Sequence, residues 1–574
     1  MKSWYTAAVV LPGLVMGSVG TARAEQETEA SWKPRPACIE SSGPAYLVRD
    51  INPGPANGFV LFPRDVEGRL FFGANDGVHG QELWKSDGTE AGTVLVKDIN
   101  PGPDSSIVDP DINGIGSASF RGEYYFPAGT PDTGLELWKS DGTEAGTVLV
   151  KDIRPGPARS EFGYLTPLGH RLVFEANDGV SGFEPWVSDG TPEGTRLLKD
   201  IRPGPEGSLP LDLRRVGRKV FFTANDGVHG TELWVTNGTE AGTRLVEDLL
   251  EGPESSGPFQ FHELDDTLVF LAANEGGGFD VWRSDGTRGG TYRLKELFPG
   301  AVPLLMEGWR EDRKPVVYFA GNDGTTGWEL WVTDGTTRGT RRAADIVPGP
   351  GSSFPNGLTT VGSTVFFSAD DGATGFELWR SNGTPGGTRR VKDIWPGPSS
   401  GIDGLGATGS EGGLQRVGER FVFAADDGVS GLELWVSDGT EEGTSLLQDI
   451  NPGPASSVPT RFAHSGGRIF FMADDGTHGE ELWALPERVL DDETRPDLRC
   501  PDSIRVKATS RGGTWVSYPP ASVNDDTGLC PRVHYSRRSG SFFPVGTIRV
   551  HVTATDLAGN SRECTFKVKV ERRH

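Results

Sequence analysis

A unit of about 48 residues repeats along most of this chain. The tripeptide Glu-Leu-Trp, or a close variant of it, occurs nine times, and successive tryptophans are 54, 48, 48, 48, 49, 48, 56 and 48 residues apart. They are Trp84, Trp138, Trp186, Trp234, Trp282, Trp331, Trp379, Trp435 and Trp483. A fixed period of this length indicates an array of one small structural unit rather than a set of unrelated domains.

Each unit carries four strand signals, as residues 208–250 illustrate. Short apolar runs predict strands at 211–216, 219–224, 232–235 and 243–249. Large aromatic side chains recur in the second and third strands, and such side chains contribute most of the area buried between packed sheets.

The joints between these strands have the composition of turns. Residues 225–227 (Asn-Asp-Gly) and 237–239 (Asn-Gly-Thr, Asp-Gly-Thr in most units) tolerate the left-handed backbone that hairpins require. The segment 200–205 ends in Pro-Gly-Pro, and proline has no N–H to donate, so the chain leaves the sheet there. The 81 glycines and 41 prolines of the 574 residues fit an all-β protein with many turns.

Four short antiparallel strands per roughly 40–50 residues are typical of a β-propeller. The ninth unit, at 481–483, lacks its fourth strand, and residues 46–55 form an orphan copy of that strand. We therefore expect a propeller of nine four-stranded blades, closed by the N-terminal strand so that no sheet edge stays free. An open β-solenoid is the alternative.

The spacing of Glu-Leu-Trp, Asp-Gly-Thr and Gly-Thr resembles the ELWxxDGT repeat of bacterial secreted proteins, over residues 45–488. The resemblance implies secretion and a repeat architecture. It implies no reaction, and no functional residue follows from it.

The composition changes at residue 499. Cys-Pro at 500–501, Phe-Pro-Val-Gly-Thr at 543–547, Ala-Thr-Asp-Leu-Ala-Gly-Asn at 554–560 and Cys-Thr-Phe-Lys-Val at 564–568 follow one another. This order resembles a hyalin-repeat (HYR) domain over residues 499–574. The resemblance implies an immunoglobulin-like β-sandwich associated with extracellular adhesion, and it implies a disulfide between Cys500 and Cys564.

The chain has four cysteines, for which three connectivities exist. Cys38 and Cys530 remain once the implied pair is set aside. If the N-terminal strand docks on the last blade, Cys38 comes near the C-terminal domain, and a Cys38–Cys530 bridge is our hypothesis for the second pair.

The first residues predict a signal peptide at 1–24, with Lys2, an apolar stretch at 5–19 and small residues at positions 22 and 24. A transmembrane anchor is the weaker alternative, because the stretch is short and broken by proline and glycine. We expect linkers at 25–44 and 489–498. The location predicted is secreted, extracellular or cell-surface, with the periplasm as another choice.

Charge is distributed unevenly. Residues 495–574 hold 14 Lys and Arg against 7 Asp and Glu, whereas residues 25–494 carry a net charge of about −33. A body this acidic repels phosphate backbones, so we expect no nucleic-acid partner. A glycan or another extracellular protein is the expected partner.

No catalytic constellation is evident in the sequence, and we predict no catalytic, cofactor-binding or metal-ligating residue. Glu82, Asp87 and Thr89 have equivalents throughout the repeat, and a residue that serves the units equally is more often structural than catalytic. His79, His229 and His478 share one slot in separate units, which indicates surface turns. The sequence therefore predicts that the chain is not an enzyme.

Acidic turns raise the question of calcium. Asp76, Asp226, Asp427 and Asp475 each precede a glycine in such a turn. A calcium loop needs several oxygen donors at alternate positions, whereas each of these turns offers one or two. A plain hairpin turn is the favoured interpretation, with calcium as the alternative.

Single-copy features are the better candidates for binding, because loops on a rigid scaffold commonly carry function. Two units are longer than the rest, at Ile107–Tyr125 and Gly401–Leu414. The residues of interest are Asp109, Asp111, Tyr124, Tyr125, Trp309, Trp395 and Phe259–Phe261. Local packing is the competing explanation for each.

These observations favour a non-enzymatic extracellular binding or adhesion protein that recognises a surface glycan or an exported protein. A secreted polysaccharide-active enzyme on a propeller scaffold is one alternative, and a structural matrix component is another.

Overall fold

The computed structural model describes residues 43–107, 116–298, 304–306, 315–402, 414–527 and 530–572. The chain divides into two compact units, Met1–Cys38 and Ile39–His574. The first unit lies outside the described residues, as does the predicted signal peptide within it. The second unit holds every residue described below.

Strands dominate the described chain, and within residues 46–486 they form nine four-stranded antiparallel sheets. Sheet 9 takes its fourth strand from the start of the chain, β1 (Tyr46–Arg49). Sheet 1 consists of β2 (Leu61–Val66), β3 (Arg69–Asn75), β4 (Gln81–Ser86) and β5 (Val94–Lys97); sheet 2 of β6 (Ala118–Phe120), β7 (Glu123–Thr130), β8 (Gly134–Ser140) and β9 (Val148–Lys151); sheet 3 of β10 (Gly163–Leu168), β11 (Arg171–Asn177), β12 (Phe183–Ser188) and β13 (Arg196–Leu197); and sheet 4 of β14 (Leu211–Val216), β15 (Lys219–Asn225), β16 (Thr231–Thr236) and β17 (Arg244–Glu247).

The remaining sheets follow the same plan. Sheet 5 consists of β18 (Phe259–Leu264), β19 (Thr267–Ala273), β20 (Phe279–Ser284) and β21 (Tyr292–Lys295); sheet 6 of β22 (Leu304–Met306), β23 (Val317–Asn322), β24 (Trp328–Thr333) and β25 (Arg341–Arg342); sheet 7 of β26 (Asn356–Val361), β27 (Thr364–Asp370), β28 (Phe376–Ser381) and β29 (Arg389–Lys392); sheet 8 of β30 (Gln415–Val417), β31 (Arg420–Asp426), β32 (Leu432–Ser437) and β33 (Ser445–Gln448); and sheet 9 of β34 (Thr460–Ser465), β35 (Arg468–Asp474), β36 (Glu480–Pro486) and β1. Short 3₁₀ turns occur at Glu240–Gly242, Arg288–Gly290, Pro385–Gly387 and Glu487–Val489.

Turn chemistry explains where these strands end, and sheet 4 shows how. Asn225 closes β15, and Gly227 adopts a φ of 81°, which glycine reaches without steric cost. The carboxylate of Asp226 accepts hydrogen bonds from the N–H groups of Val228 and His229, each at 2.9 Å. The chain reverses within the turn, and β16 pairs with β15 in the register that the turn sets.

Aromatic side chains fill the space between neighbouring sheets. Phe221 of sheet 4 is fully buried and packs in one cluster with Phe261 and Phe270 of sheet 5. Phe222 faces the other way and packs in a cluster with Val173 of sheet 3. Full burial of such a side chain stabilises the fold by about 1.5–3 kcal/mol, so this repeated packing is the main force that holds the sheets together.

The start of the chain pairs with the last sheet, and the last sheet in turn contacts the first. β1 pairs with β36, placing Tyr46 opposite Ala484 and Leu47 opposite Trp483. Arg461 of sheet 9 donates a hydrogen bond to the Val60 carbonyl beside sheet 1 at 3.2 Å. The start of the chain therefore completes the sheet that the last repeat leaves one strand short.

A separate group of strands forms the C-terminal domain. Its strands are β37 (Asp497–Arg499), β38 (Ile504–Lys507), β39 (Gly513–Val516), β40 (Ser522–Asn524), β41 (Arg532–Tyr535), β42 (Ser541–Pro544), β43 (Gly546–Thr555) and β44 (Ser561–Glu571). They pair as one four-stranded sheet, β38-β44-β43-β41, and two two-stranded ones, β37-β40 and β39-β42. Phe543, Val550 and Val568 are fully buried in its core.

Candidate functional site

The repeated glutamate of each Glu-Leu-Trp tripeptide is fully buried and connects its strand to the segment that leaves the sheet. Glu82 accepts hydrogen bonds from the N–H of Ile99 at 2.8 Å, the N–H of Ser106 at 2.9 Å and the Ser106 hydroxyl at 2.6 Å. Burial raises the pKa of Glu82 to about 7, while these hydrogen bonds limit the rise. We call the set the staple glutamates: Glu82, Glu136, Glu184, Glu232, Glu329, Glu377, Glu433 and Glu481.

The other repeated polar residues serve turns. Asp87 accepts hydrogen bonds from the Thr89 N–H at 2.9 Å and the Thr89 hydroxyl at 2.7 Å. In the same way Asp76 accepts the N–H groups of Val78 and His79. These contacts are local, and they give each carboxylate a structural partner.

The three histidines singled out by sequence lie in equivalent, separate turns. His79 Nδ1 is 2.7 Å from Asp76 Oδ2, and the same contact joins His229 to Asp226 and, at 2.8 Å, His478 to Asp475. The aspartate raises the pKa of each histidine. Asp427 makes the corresponding backbone contacts, with the N–H groups of Val429 and Ser430.

The candidates in the long units are of two kinds. Tyr124 and Tyr125 are buried in the packing between sheets, and Tyr124 stacks on Phe71 at 5.4 Å, so neither lies on an exposed binding loop as the sequence had suggested. Asp109, Asp111, Trp309 and all but the ends of Gly401–Leu414 lie outside the described residues.

The single-copy aromatics of sheets 5 and 7 also make packing contacts. Phe261 is buried, and Phe259 meets Phe279 edge to face at 5.0 Å. Trp395 lies against Gly428 in a turn of sheet 8. These contacts match the local-packing explanation.

A feature that sequence reasoning missed lies in the first strand of each sheet, which we call the leading strand. In six sheets the leading strand contains a β-bulge, and the second residue of the strand has a φ between 53° and 61°. The six residues are Phe62, Tyr164, Asp212, Gln260, Gly357 and Arg461. Side chains other than glycine adopt this conformation at a cost of about 1–2 kcal/mol, and such strain is concentrated at functional sites. The backbone is repeated here, but the side chain differs in every sheet.

Glu175 is the most unusual side chain near these bulges. It lies opposite Gly163 of the leading strand β10, and it is only 5% exposed. At the same register position sheets 1, 4 and 7 have Gly73, Thr223 and Ser368, so the carboxyl occurs once among them. Burial, with the nearby negative charge of Glu161, raises its pKa to about 8. Glu175 therefore keeps its proton at neutral pH.

Tyr164 and Asp212 come from the leading strands of sheets 3 and 4 and share the surroundings of Glu175. Burial raises the pKa of Asp212. The pKa of Tyr164 rises to about 12, first through burial and then through the negative charges of Asp212 and Glu175. Tyr164 is therefore coupled electrostatically to both Asp212 and Glu175.

A cavity of about 420 Å³ begins one residue further along both leading strands. Residues 165–167 and 213–215 line it, and Arg214 and Arg215 lie in its wall. The Thr166 hydroxyl lies 2.7 Å from the Tyr164 carbonyl of its own strand and 3.1 Å from the Leu213 carbonyl of the neighbouring one, so the two strands are close here. We use the name leading-strand cleft for this cavity together with Glu161, Tyr164, Glu175 and Asp212, none of which is among the residues that line the cavity itself. A protonated carboxylic acid and a second carboxyl group that reach the same substrate can perform general acid–base chemistry.

The C-terminal domain has two further notable features. A disulfide joins Cys500 and Cys564. Cys530 is also disulfide-bonded, and Cys38 lies outside the described residues. Trp515 is 71% exposed and meets Phe542 edge to face at 5.9 Å, which forms an exposed aromatic pair on the two-stranded β39-β42 sheet.

Comparison with known proteins first concerns the C-terminal domain. The model of the HYR domain matches residues 491–570. The protein named "Sushi, von Willebrand factor type A, EGF and pentraxin domain-containing protein 1", from Rattus norvegicus and from Mus musculus, is 34% identical over 86 residues. That segment is 14% of this chain and 2% of those proteins, so the chain spans a small part of the relatives it matches.

Solved structures are similar to the sheet region. Puromycin hydrolase matches with a TM-score of 0.33 and 17% identity, over 66% of this chain and 59% of that one. Oligogalacturonate lyase in complex with manganese matches with a TM-score of 0.31 and 12% identity, over 55% and 86%. The β-propeller domain of the Trilobed protease from Pyrococcus furiosus, described as having an open velcro topology, matches with a TM-score of 0.28 and 12% identity, over 57% and 96%.

These matches overturn our prediction that the chain is not an enzyme, because all three are enzymes or parts of enzymes. We therefore withdraw that prediction. The matches name no reaction and no catalytic residue for this chain, since the likeness is confined to a propeller-like, all-β fold.

A HYR domain and a disulfide fit an extracellular protein. Within the part of the chain that the structure describes, no helix has the length and apolar character needed to cross a membrane. The family likeness that these comparisons establish is to HYR domains, over residues 491–570.

Proposed function

We propose that the nine sheets are the blades of one closed propeller and that the C-terminal domain is immunoglobulin-like. Pairing of β1 with β36 supports closure, as do the contacts between sheets 1 and 9. In such a ring the leading strands surround the centre. The ELWxxDGT-like repeats and the signal peptide predicted at 1–24 support export from a bacterial cell as part of this proposal.

We further propose that this protein is a secreted enzyme that acts on polysaccharide and that the leading-strand cleft is its active site. The observation that carries the proposal is the single-copy, buried Glu175, which together with Asp212 influences Tyr164 electrostatically at the meeting of two leading strands. Cleavage of a glycosidic bond commonly uses two carboxyl groups, one protonated and one ionised.

The residues of the cleft have separate roles in this mechanism. Glu175 donates its proton to the glycosidic oxygen as the bond from that oxygen to the sugar carbon breaks. Asp212, whose pKa rises from the lower starting value of 3.8, supplies the carboxylate. It either bonds to the sugar carbon or takes a proton from the water that attacks it, and the separation of the two carboxyl groups decides which. Arg214 and Arg215 provide donors for the oxygens of the bound sugar.

Purified protein without the predicted signal peptide tests this proposal on a panel of plant, algal and bacterial polysaccharides, with release of reducing ends as the assay. We expect cleavage of at least one polysaccharide, and loss of about 100-fold or more of the rate in Glu175→Gln and Asp212→Asn. Glu240→Gln, an exposed residue of a 3₁₀ turn, is the matched control. Absence of cleavage across the panel, or full activity of Glu175→Gln, would contradict the proposal.

Adhesion through the C-terminal domain is a second candidate function, which the exposed pair of Trp515 and Phe542 favours. Exposed Arg511 and Arg538 belong to the same domain, whose net charge is positive. Aromatic faces with basic neighbours suit an acidic glycan. Retention on immobilised acidic polysaccharide should fall in Trp515→Ala and stay unchanged in Val180→Ala, an equally exposed residue of sheet 3's turn. Equal retention of both variants would argue against this surface.

A further inference from the structure

Four aspartates from three separate segments converge at one end of the C-terminal domain. Asp492 follows the last repeat, Asp525 and Asp526 follow β40, and Asp556 lies in the turn between β43 and β44. One carboxylate oxygen from each of Asp492, Asp525 and Asp526 lies within 4.8 Å of the others. Asp556 is close enough for the charges of Asp525 and Asp492 to raise its pKa further, after burial has done so.

Several oxygens of this group are buried without a partner, which distinguishes it from an ordinary acidic surface. Asp525 is 6% exposed; its Oδ2 accepts the N–H of Thr527 at 3.2 Å, whereas its Oδ1 has no hydrogen-bond partner among the described residues. Asp492 Oδ2 and Asp556 Oδ2 are likewise buried and without a partner there. A buried carboxylate oxygen without a partner is costly, and a bound cation would compensate that cost.

The four side chains suit a cation that binds oxygen ligands. Within the described residues, none of the four aspartates forms an ion pair with a lysine or arginine. The Thr494 hydroxyl lies 2.6 Å from both Asp492 Oδ1 and Asp526 Oδ1, which holds these two carboxylates side by side. Every available ligand is an oxygen, and several are charged. Ca²⁺ takes six to eight such ligands with flexible geometry, whereas Mg²⁺ demands a stricter octahedron and keeps its water.

We propose that Asp492, Asp525, Asp526 and Asp556 form a calcium site that fixes the C-terminal domain to the repeat region. The site joins the segment leaving sheet 9 to two loops of the domain. The Asn560 side chain donates to the Asp492 carbonyl at 2.6 Å, which ties the β43–β44 turn to that segment.

The opposite side of the same turn contacts sheet 8. Arg420 of β31 donates to the carbonyls of Leu557 at 2.7 Å and Ala558 at 2.5 Å. Leu557 packs against the apolar cluster that contains Val417 and Leu490. A cation that orders the turn from one side therefore also orders its contact with the repeat region on the other.

Calorimetric titration of the EDTA-treated full mature chain with CaCl₂ tests the site, with MgCl₂ titrated in parallel. We expect one saturable calcium site and much weaker magnesium binding. Asp526→Asn, an exposed ligand whose loss spares the core, should weaken calcium binding by about tenfold or more. Asp525→Asn should abolish it. Asp502→Asn, which removes the same charge from an exposed position of the same domain, should leave it unchanged.

Hydrogen exchange in the same samples tests the effect on the contact with the repeat region. Calcium should slow exchange in residues 491–498, 525–527 and 556–560, and in Asp526→Asn the same calcium concentration should slow it less. No calcium binding by the full chain, equal affinity in Asp526→Asn and Asp502→Asn, or equally tight magnesium binding would overturn the proposal. Exchange that calcium leaves unchanged in those three segments would overturn its role in fixing the domain.

Discussion

Buried carboxyl groups occur in two regions of this molecule, and their surroundings differ. The staple glutamates lie in the third strand of their sheets, and Glu232, for example, accepts two N–H donors and one hydroxyl. Glu175 lies beside the leading strand, and no hydrogen bond from the described residues opposes the rise of its pKa to about 8. A buried carboxyl with a full set of donors stabilises a fold, whereas one without them is better explained by chemistry. The predictions below separate the two cases.

The largest effect on stability should follow the loss of a staple. Glu232→Ala leaves the N–H groups of Leu249 and Ser256 buried without acceptors, at a cost of about 3 kcal/mol in the free energy of unfolding. Denaturant unfolding of this variant, with Glu240→Gln as the control, measures the loss. A variant as stable as the parent would show that the staple is not structural.

Glu175→Gln should affect the rate of cleavage rather than the stability. Because Glu175 is already uncharged at neutral pH, the amide costs little stability, yet it removes the proton donor and about 100-fold of the rate on a cleaved polysaccharide. The same unfolding curve and a rate assay provide both quantities. Loss of stability with normal activity would place Glu175 in the structural class.

The pH dependence of stability should reflect the staples together. Burial raises the pKa of Glu82, Glu136, Glu232, Glu377 and Glu481 from 4.5 to about 7. A raised folded-state pKa gives stability that is complete below about pH 4.5 and is lost as pH rises through about 7. The histidines of the turns also have a raised pKa, so they too contribute stability that is lost as the pH rises. Thermal unfolding should therefore occur a few degrees higher at about pH 5 than at about pH 7.5, and a constant or opposite trend would contradict this assignment.

The smallest effect concerns the strained backbone before each leading strand. Val458 has a φ of 49°, where sheet 5 has Gly257. Val458→Gly should raise the free energy of unfolding by about 1 kcal/mol, since a β-branched side chain is strained there. Val429→Gly, at an exposed turn position of negative φ, should lower it instead. If denaturant unfolding shows that both variants change the free energy of unfolding in the same direction, the left-handed backbone at Val458 costs no stability.

The sequence contained enough information for the strands, because turns such as Asn225-Asp226-Gly227 and aromatic pairs such as Phe221-Phe222 recur in fixed register. It also revealed that residues 46–55 match the strand missing after Trp483. The structural neighbours contradict the prediction of a protein that is not an enzyme. Comparing the repeats for shared residues directed attention away from Glu175, which differs from its counterparts Gly73, Thr223 and Ser368.

Other features depended on three-dimensional proximity. The convergence of Asp492, Asp525 and Asp556 joins segments more than thirty residues apart in the chain. The burial of Tyr124 and Tyr125 followed from the register of β7, which a lengthened unit obscured. An aligned comparison of the repeats would have revealed the exceptional Glu175, but not that Glu175 and Asp212 both influence Tyr164.

The most direct test of the central claim is a crystal structure of Glu175→Gln with an oligosaccharide from a polysaccharide that the parent protein cleaves. We predict that the sugar lies between β10 and β14, with its glycosidic oxygen within hydrogen-bonding distance of residue 175 and with Asp212 facing the sugar carbon. An oligosaccharide bound elsewhere, with the leading-strand cleft unaltered, would contradict the claim that these single-copy carboxyl groups perform the chemistry.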